Sequence, residues 1–108
     1  MDAGPSLRIR IAHDGDECTV TVAGDVDLAT STQLKRALDE ALDGEPAAAT
    51  IRADLGGVGF LDTTGLGLLL AARTRALGRG SRFIVTSTSA ELDRLFDITG
   101  VATYLRGD

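Results

Sequence analysis

The sequence has few of the side chains that usually perform catalysis or bind nucleic acid. Its 108 residues include one histidine, one cysteine, one tyrosine, three phenylalanines and no tryptophan. A single cysteine excludes an internal disulfide, and so few aromatic rings leave no platform on which bases can stack. The net charge of −5 disfavours partners that are themselves negative. We therefore expect no direct binding to nucleic acid or to a membrane.

Enzyme and metal sites are also poorly supported. His13 lies among turn-forming residues, where an exposed imidazole is more often solvated than catalytic. Cys18 is flanked by β-forming residues, and a lone thiol there is more often a small core residue than a nucleophile. Together they provide too few ligands for zinc. Glycines at 56, 57 and 59 are explained equally well by a tight strand-to-loop passage or by phosphate binding. We expect no enzyme activity, metal or cofactor.

Signals for export or membrane insertion are missing too. Residues 1–6 are polar, lead into no apolar segment of a secretory signal, and are expected to be disordered. The longest apolar run in the second half, 68–72, is far shorter than the roughly 20 residues that a membrane span needs. A hydrophobic content of 44% is enough for one packed core. Residues 1–108 are therefore predicted to form a single cytoplasmic domain.

The first half of the chain changes from a period of two to a helical period. Apolar and polar residues alternate over 7–11 and again over 18–22, which predicts a hairpin of two strands. Apolar residues between 34 and 42 then recur at helical spacing, which predicts an amphipathic helix. The helix is expected to start at Thr30 or Ser31 and to end at Gly44.

A third strand and a second helix are predicted next. Residues 49–55 are typical of a strand, and the glycine-rich residues 56–59 are expected to leave it as a loop. The helix that follows is apolar on every side, so its first turns are expected to be buried all round. Gly78 and Gly80 are expected to terminate it.

The last part of the chain completes the pattern. Residues 82–86 predict a strand, and Thr88 with Glu91 has the spacing of a capping box for a third helix that ends at Gly100. A closing strand is expected over 102–105. The element order is then β-β-α-β-α-β-α-β, an α/β domain in which helices cover a mixed β-sheet.

Residues 62–67 (DTTGLG) carry the pattern with the most chemical content. Either Thr63 or Thr64 can cap the second helix through its hydroxyl. Two neighbouring hydroxyls, the preceding Asp62, and glycines at 65 and 67 would also form an open, flat surface at a helix N-terminus. Such a terminus has unpaired N–H groups and a partial positive charge, which can accommodate an attached phosphate.

Four motifs together resemble the STAS domain family, and within it the bacterial anti-sigma factor antagonists. Residues 24–27 (GDVD) are similar to the family's G-E-L-D, and 60–67 (FLDTTGLG) to F-[ML]-D-S-[ST]-G-[LI]-G. Residues 53–55 (ADL) match a strand end, and 95–100 (LFDITG) match the closing L-F-[DE]-[LI]-[ST]-G. The resemblance covers nearly the whole chain and implies a single STAS domain.

The resemblance implies a protein–protein switch without enzyme activity. Family members bind, when unphosphorylated, an anti-sigma factor that is a serine/threonine kinase of the histidine-kinase-like ATPase fold, and so free a sigma factor. The kinase phosphorylates the second hydroxyl residue of the motif, and a PP2C-type phosphatase reverses this. By position the acceptor is Thr64, a threonine where the best-known members have serine. Partner binding is assigned to Asp25, Asp27, Asp62, Thr63, Gly65 and Leu66.

Other functions stay open at this point. The chain would also suit a STAS scaffold subunit of a transport or stress-sensing complex that has no kinase cycle, because a fold does not specify a function. A small nucleotide-binding protein is disfavoured, since no phosphate-binding lysine accompanies the glycines. Asp27 is equally well explained as an Asx-turn or helix-entry residue.

Overall fold

The described part of the chain, residues 6–99 and 105 of a computed structural model, folds into an α/β domain. The predicted hairpin, the three predicted helices and the mixed sheet are confirmed. The elements in chain order are β1 (Arg8–Asp14), β2 (Glu17–Val26), α1 (Ser31–Leu42), β3 (Thr50–Leu61), α2 (Thr63–Gly78), β4 (Arg82–Thr88) and α3 (Ala90–Thr99).

The strands form one sheet in the order β1-β2-β3-β4. The β1–β2 pair is antiparallel, and its tight turn contains Gly15 at a φ of 61°. The pairs β2–β3 and β3–β4 are parallel, so a helix connects the strands of each pair. Parallel pairing brings the C-terminal ends of β2 and β3 to the same edge of the sheet. The residues that follow both strands therefore meet there.

The described helices cover one face of this sheet. Alternate residues of β2 and β3, such as Cys18, Val20 and Ile51, are buried in one cluster with the apolar faces of the helices. Burial raises the pKa of the Cys18 thiol, which fits a core residue and not an activated nucleophile. On the opposite face, Arg52 forms a half-buried ion pair with Glu17 at 3.0 Å. The predicted alternation of buried and exposed residues therefore holds through the central strands.

Strand β3 is longer than predicted, because the glycines at 56, 57 and 59 remain within it. The expected exit into a loop is wrong. Gly57 pairs with Ala23 of β2, and a Cβ atom built on Gly57 would lie 2.8 Å from the Cβ of Ala23. Glycine lets the two strands approach closely at a register shift. The strand consequently continues to Leu61 and delivers the next residues to the sheet edge.

The expectation that the first turns of α2 are buried all round is also wrong. The helix packs against α1, β3 and β4 through one face, and its other face is open to solvent. In the first turns, Gly67 and Ala71 are exposed, and Leu68 and Leu70 are only half-buried. The composition of residues 65–72 hid this asymmetry, because none of them is polar and so none marks the outer face. The buried residues are Gly65, Leu66, Leu69, Ala72 and Ala76.

Helices α1 and α2 are also joined by charge. Arg75 of α2 donates to Asp39 at 2.6 Å and to Asp43 at 2.9 Å. A hydrogen bond from Lys35 is the main cause that lowers the pKa of the Asp39 carboxyl. These pairs are exposed, so their contribution to the free energy of unfolding is small.

Some predicted helix ends differ from the structure. Thr30 is the N-cap of α1, as expected, whereas its C-cap is Asp43 and not Gly44. Helix α2 ends at Gly78, in agreement with the prediction. The capping box of Thr88 and Glu91 is wrong, because Ser89 accepts the hydrogen bond from the Leu92 N–H at 3.2 Å. The Thr88 hydroxyl hydrogen-bonds the carboxylate of Asp93 instead.

The predicted chain ends fall largely outside the described residues. This applies to residues 1–5 of the segment expected to be disordered, to Gly100, and to residues 102–104 of the closing strand. Leu105 is described, and it is helical and buried. The strand prediction is therefore wrong at that residue.

Candidate functional site

The candidate site lies at the edge where β2 and β3 end. Asp25 pairs with Phe60, and Val26 pairs with Leu61. The N–H of Asp62 donates to the carbonyl of Val26 at 3.0 Å. The two motifs that the sequence separates by more than 30 residues, 24–27 and 60–67, are thus held side by side by the parallel sheet.

The loop after β2 is held by a hydrogen-bonded turn at Asp27. Its Oδ1 accepts from the N–H groups of Ala29 at 3.0 Å and Thr30 at 3.2 Å. The Thr30 hydroxyl donates to the carbonyl of Asp25 at 2.7 Å and accepts from the Asp27 N–H at 3.0 Å. The Asx-turn interpretation of Asp27 is confirmed. This network orders the loop that presents Asp25 and Asp27 at the edge of the sheet.

Asp62, and not a threonine, caps α2. Its backbone is extended, and its Oδ1 accepts from the N–H of Gly65 at 2.9 Å. Thr63 and Thr64 are therefore the first two helical residues, so the expected cap lies one or two residues too late. Both threonines are exposed, and within the described residues neither hydroxyl has a hydrogen-bond partner. Using a carboxylate as the cap leaves both hydroxyls available to a partner.

We expect Asp62→Ala to lower the free energy of unfolding by about 1 kcal/mol, because the Gly65 N–H loses its acceptor. Thr63→Ala is the matched control at the neighbouring position and should change it by less than about 0.5 kcal/mol. Urea denaturation followed by circular dichroism measures both. Equal losses in the two variants would contradict the assignment of the cap.

The two glycines of the motif have different environments. A Cβ atom on Gly65 would lie 2.6 Å from both Leu61 Cδ1 and Val26 Cγ1, whereas one on Gly67 would meet no atom within 4 Å. Gly67 is exposed, but Gly65 and Leu66 are buried. The expectation that Gly65 opens the surface is wrong. Gly65 and Leu66 support the surface from below, and Gly67 leaves it flat.

The site is acidic and lacks internal neutralisation. Asp25, Asp27 and Asp62 form no salt bridge with any described residue. A phosphate added at this site would therefore lie near carboxylates that no described lysine or arginine neutralises through a salt bridge. The arrangement presents accessible hydroxyls beside carboxylates, which suits a group that is modified by another protein.

Two exposed apolar side chains near the site were missed by the sequence analysis. Leu28, in the loop after Asp27, is 80% exposed, and Phe60, next to the motif, is 51% exposed. Leu28 lies outside every segment with a periodic apolar pattern, and this position could have indicated that its side chain is exposed. Phe60 is the first residue of the motif 60–67, but the alternation of β3 did not indicate its exposure, because the register shifts before it. Large exposed apolar groups of this kind are common in protein-binding surfaces.

The described residues, 6–99 and 105, also bear on metal binding and membrane crossing. In this part of the chain, no three His, Cys, Asp or Glu side chains are grouped so that they could hold a metal ion. No described helix is both long and apolar enough to cross a bilayer.

Known sequences match this chain over most of its length. A family model described as Mlab, STAS domain matches residues 9–107. An anti-sigma-B factor antagonist of Listeria monocytogenes is 35% identical over 93 residues, which cover 86% of this chain and 80% of that protein.

Solved structures show the same fold. An anti-sigma factor antagonist from Mycobacterium paratuberculosis matches with a TM-score of 0.81 at 24% identity, over 97% of this chain and 87% of that one. The phosphorylated form of the Bacillus cell fate determinant SpoIIAA matches with a TM-score of 0.70 at 18% identity, over 92% and 88% of the two chains.

Proposed function

Since this chain belongs to the STAS domain family and to its anti-sigma factor antagonists, we propose that its unphosphorylated form binds a cognate anti-sigma factor and so releases a sigma factor. The partner is a serine/threonine kinase of the histidine-kinase-like ATPase fold. It phosphorylates Thr64, which ends the interaction, and a PP2C-type phosphatase restores binding. In this proposal the protein acts in the cytoplasm as a binding protein and catalyses no reaction.

The accessibility of Thr64 is the observation that carries the proposal. Its hydroxyl is exposed at the second position of α2 and has no hydrogen bond to another described residue. A kinase can reach it without unfolding the helix. A Bacillus protein with this fold is known in a phosphorylated form, which supports such a modification at the level of the fold.

The surroundings of Thr64 favour a switch that acts on the complex and not on the fold. Phosphorylation adds a charge of about −1.5 to −2 at neutral pH. In the free protein this charge stays hydrated, and the helix N-terminus favours it. In a complex it would lose its hydration beside Asp25, Asp27 and Asp62, and the repulsion would weaken binding. The predicted roles of these three residues and of Thr63 in partner binding belong to the same proposal.

Phosphate mapping tests the modification directly. We expect incubation with Mg-ATP and the purified anti-sigma factor kinase of the same genome to add one phosphoryl group, located on Thr64. Thr63→Ala should be modified like the wild type, because its hydroxyl is not the acceptor, and Thr64→Ala should not be modified. Intact-mass and peptide-mass measurements distinguish the variants, and the PP2C-type phosphatase should remove the added mass.

The opposite result would favour a different function. If the wild type binds the kinase but stays unmodified, or is modified on Thr63, the assignment of Thr64 is wrong. A scaffold subunit without a kinase cycle would be neither bound nor modified by the kinase.

A further inference from the structure

A groove of about 300 Å³ lies between the end of β3 and α3. Leu61 and Leu92 are buried at its base, and Phe60, which is 51% exposed, forms part of its wall. Leu95 is half-buried on the α3 side. The remaining lining residues are Gly59, Glu91 and Arg94. The groove is thus apolar inside and has charged residues at its rim.

The groove adjoins the candidate site. Phe60 is paired with Asp25, and it precedes Thr64 by four residues, which span at most about 14 Å of extended chain. A standard interface buries about 800 Å² on each partner, which corresponds to a patch roughly 30 Å across. One protein bound over Thr64 therefore also covers the groove.

The charges around the groove indicate the chemistry of the partner. Asp25, Asp62 and Glu91 contribute three carboxylates, whereas Arg94 contributes one guanidinium group. None of the four forms a salt bridge with a described residue. An apolar side chain flanked by lysine or arginine complements this combination of an apolar base and an acidic rim.

We propose that the groove receives an apolar side chain of the anti-sigma factor, flanked by basic residues, and that Phe60 is the main apolar contact on this protein. The inference rests on the proposed function and extends the partner-binding surface from the motif loops to α3. Aromatic side chains next to a pocket are typical of the few residues that contribute most to an interface.

Phe60→Ala tests this inference against a closely matched control. Leu77, also on the surface, is 50% exposed but lies at the far end of α2. In calorimetric titration with the purified anti-sigma factor, Phe60→Ala should weaken binding about 30-fold or more. Leu77→Ala should bind within about twofold of the wild type. Thermal melting of both variants tests whether either effect arises from unfolding.

A charge reversal gives a second test that does not remove apolar contacts. Glu91 and Glu40 are both exposed helical residues, but Glu40 lies on α1, away from this groove. At low salt, Glu91→Lys should weaken binding about tenfold, because it opposes the basic side chains of the partner. Glu40→Lys changes the net charge equally and should have a much smaller effect. A similar loss in both variants would overturn the charge argument.

The outcomes separate this inference from the proposed function. If the wild type binds the anti-sigma factor and both Phe60→Ala and Glu91→Lys bind equally well, the groove assignment is wrong while the proposed function stands. If the wild type does not bind, the proposed function itself fails. If sedimentation shows a wild-type dimer that Phe60→Ala dissociates, the groove binds a second copy of the chain, and the inference is overturned.

Discussion

Thr64→Glu is expected to weaken binding to the anti-sigma factor about 100-fold, whereas Thr64→Ala should bind like the wild type. The glutamate puts a permanent negative charge at an exposed position next to Asp62 and close to the end of β2. When the complex forms, this carboxylate loses its hydration. The described part of this protein supplies no positive charge that would compensate for the loss. A loss of about 3 kcal/mol corresponds to roughly a hundredfold change in the dissociation constant. Calorimetric titration of the variants with the same anti-sigma factor measures these dissociation constants.

Thr74→Glu is the matched control for this prediction. Thr74 is also an exposed threonine of α2, about three turns further along the helix, and its hydroxyl bonds the carbonyl of Leu70 at 3.1 Å. The substitution adds the same charge to the same helix but leaves the surface around Thr64 unchanged. It should bind within about threefold of the wild type. The switch model is wrong if Thr64→Glu binds as tightly as Thr64→Ala.

Gly65→Ala is expected to lower the free energy of unfolding by about 2 to 3 kcal/mol. The new methyl group would lie 2.6 Å from both Leu61 Cδ1 and Val26 Cγ1, so the helix must move away from the sheet or both side chains must shift. For a domain of this size, the melting temperature should fall by about 10 °C. Urea denaturation and thermal melting both measure the effect.

Gly67→Ala, two positions further along the same helix, provides the control. Its methyl group meets nothing within 4 Å, so only the better helix propensity of alanine remains. This variant should be more stable than the wild type by up to about 1 kcal/mol. Equal losses of stability in both variants would contradict the packing described for Gly65. In that case the helix would not tolerate alanine at either position.

Much of the fold follows from local patterns in the sequence. Alternation over 7–11 and 18–22 correctly indicated a hairpin, and the helical spacing over 34–42 correctly indicated α1. These predictions succeed because one buried face imposes its period on the residues that form it. The predictions that failed depend on neighbours elsewhere in the chain. Gly57 stays within β3 because Ala23 packs against it, and such a contact leaves no periodic trace.

The sequence by itself determined the domain class and the motif at 60–67, because local periodicity and motif spacing carry that information. Thr64 as the predicted acceptor is implied by the resemblance of this motif to that of the anti-sigma factor antagonists. Only the tertiary structure decided that Asp62 caps the helix, that Gly65 is buried while Gly67 is open, and that Phe60 borders a groove with α3. These features depend on the register between β2 and β3 and on the packing of helices against the sheet. Contacts between distant segments set both, so no local pattern reveals them.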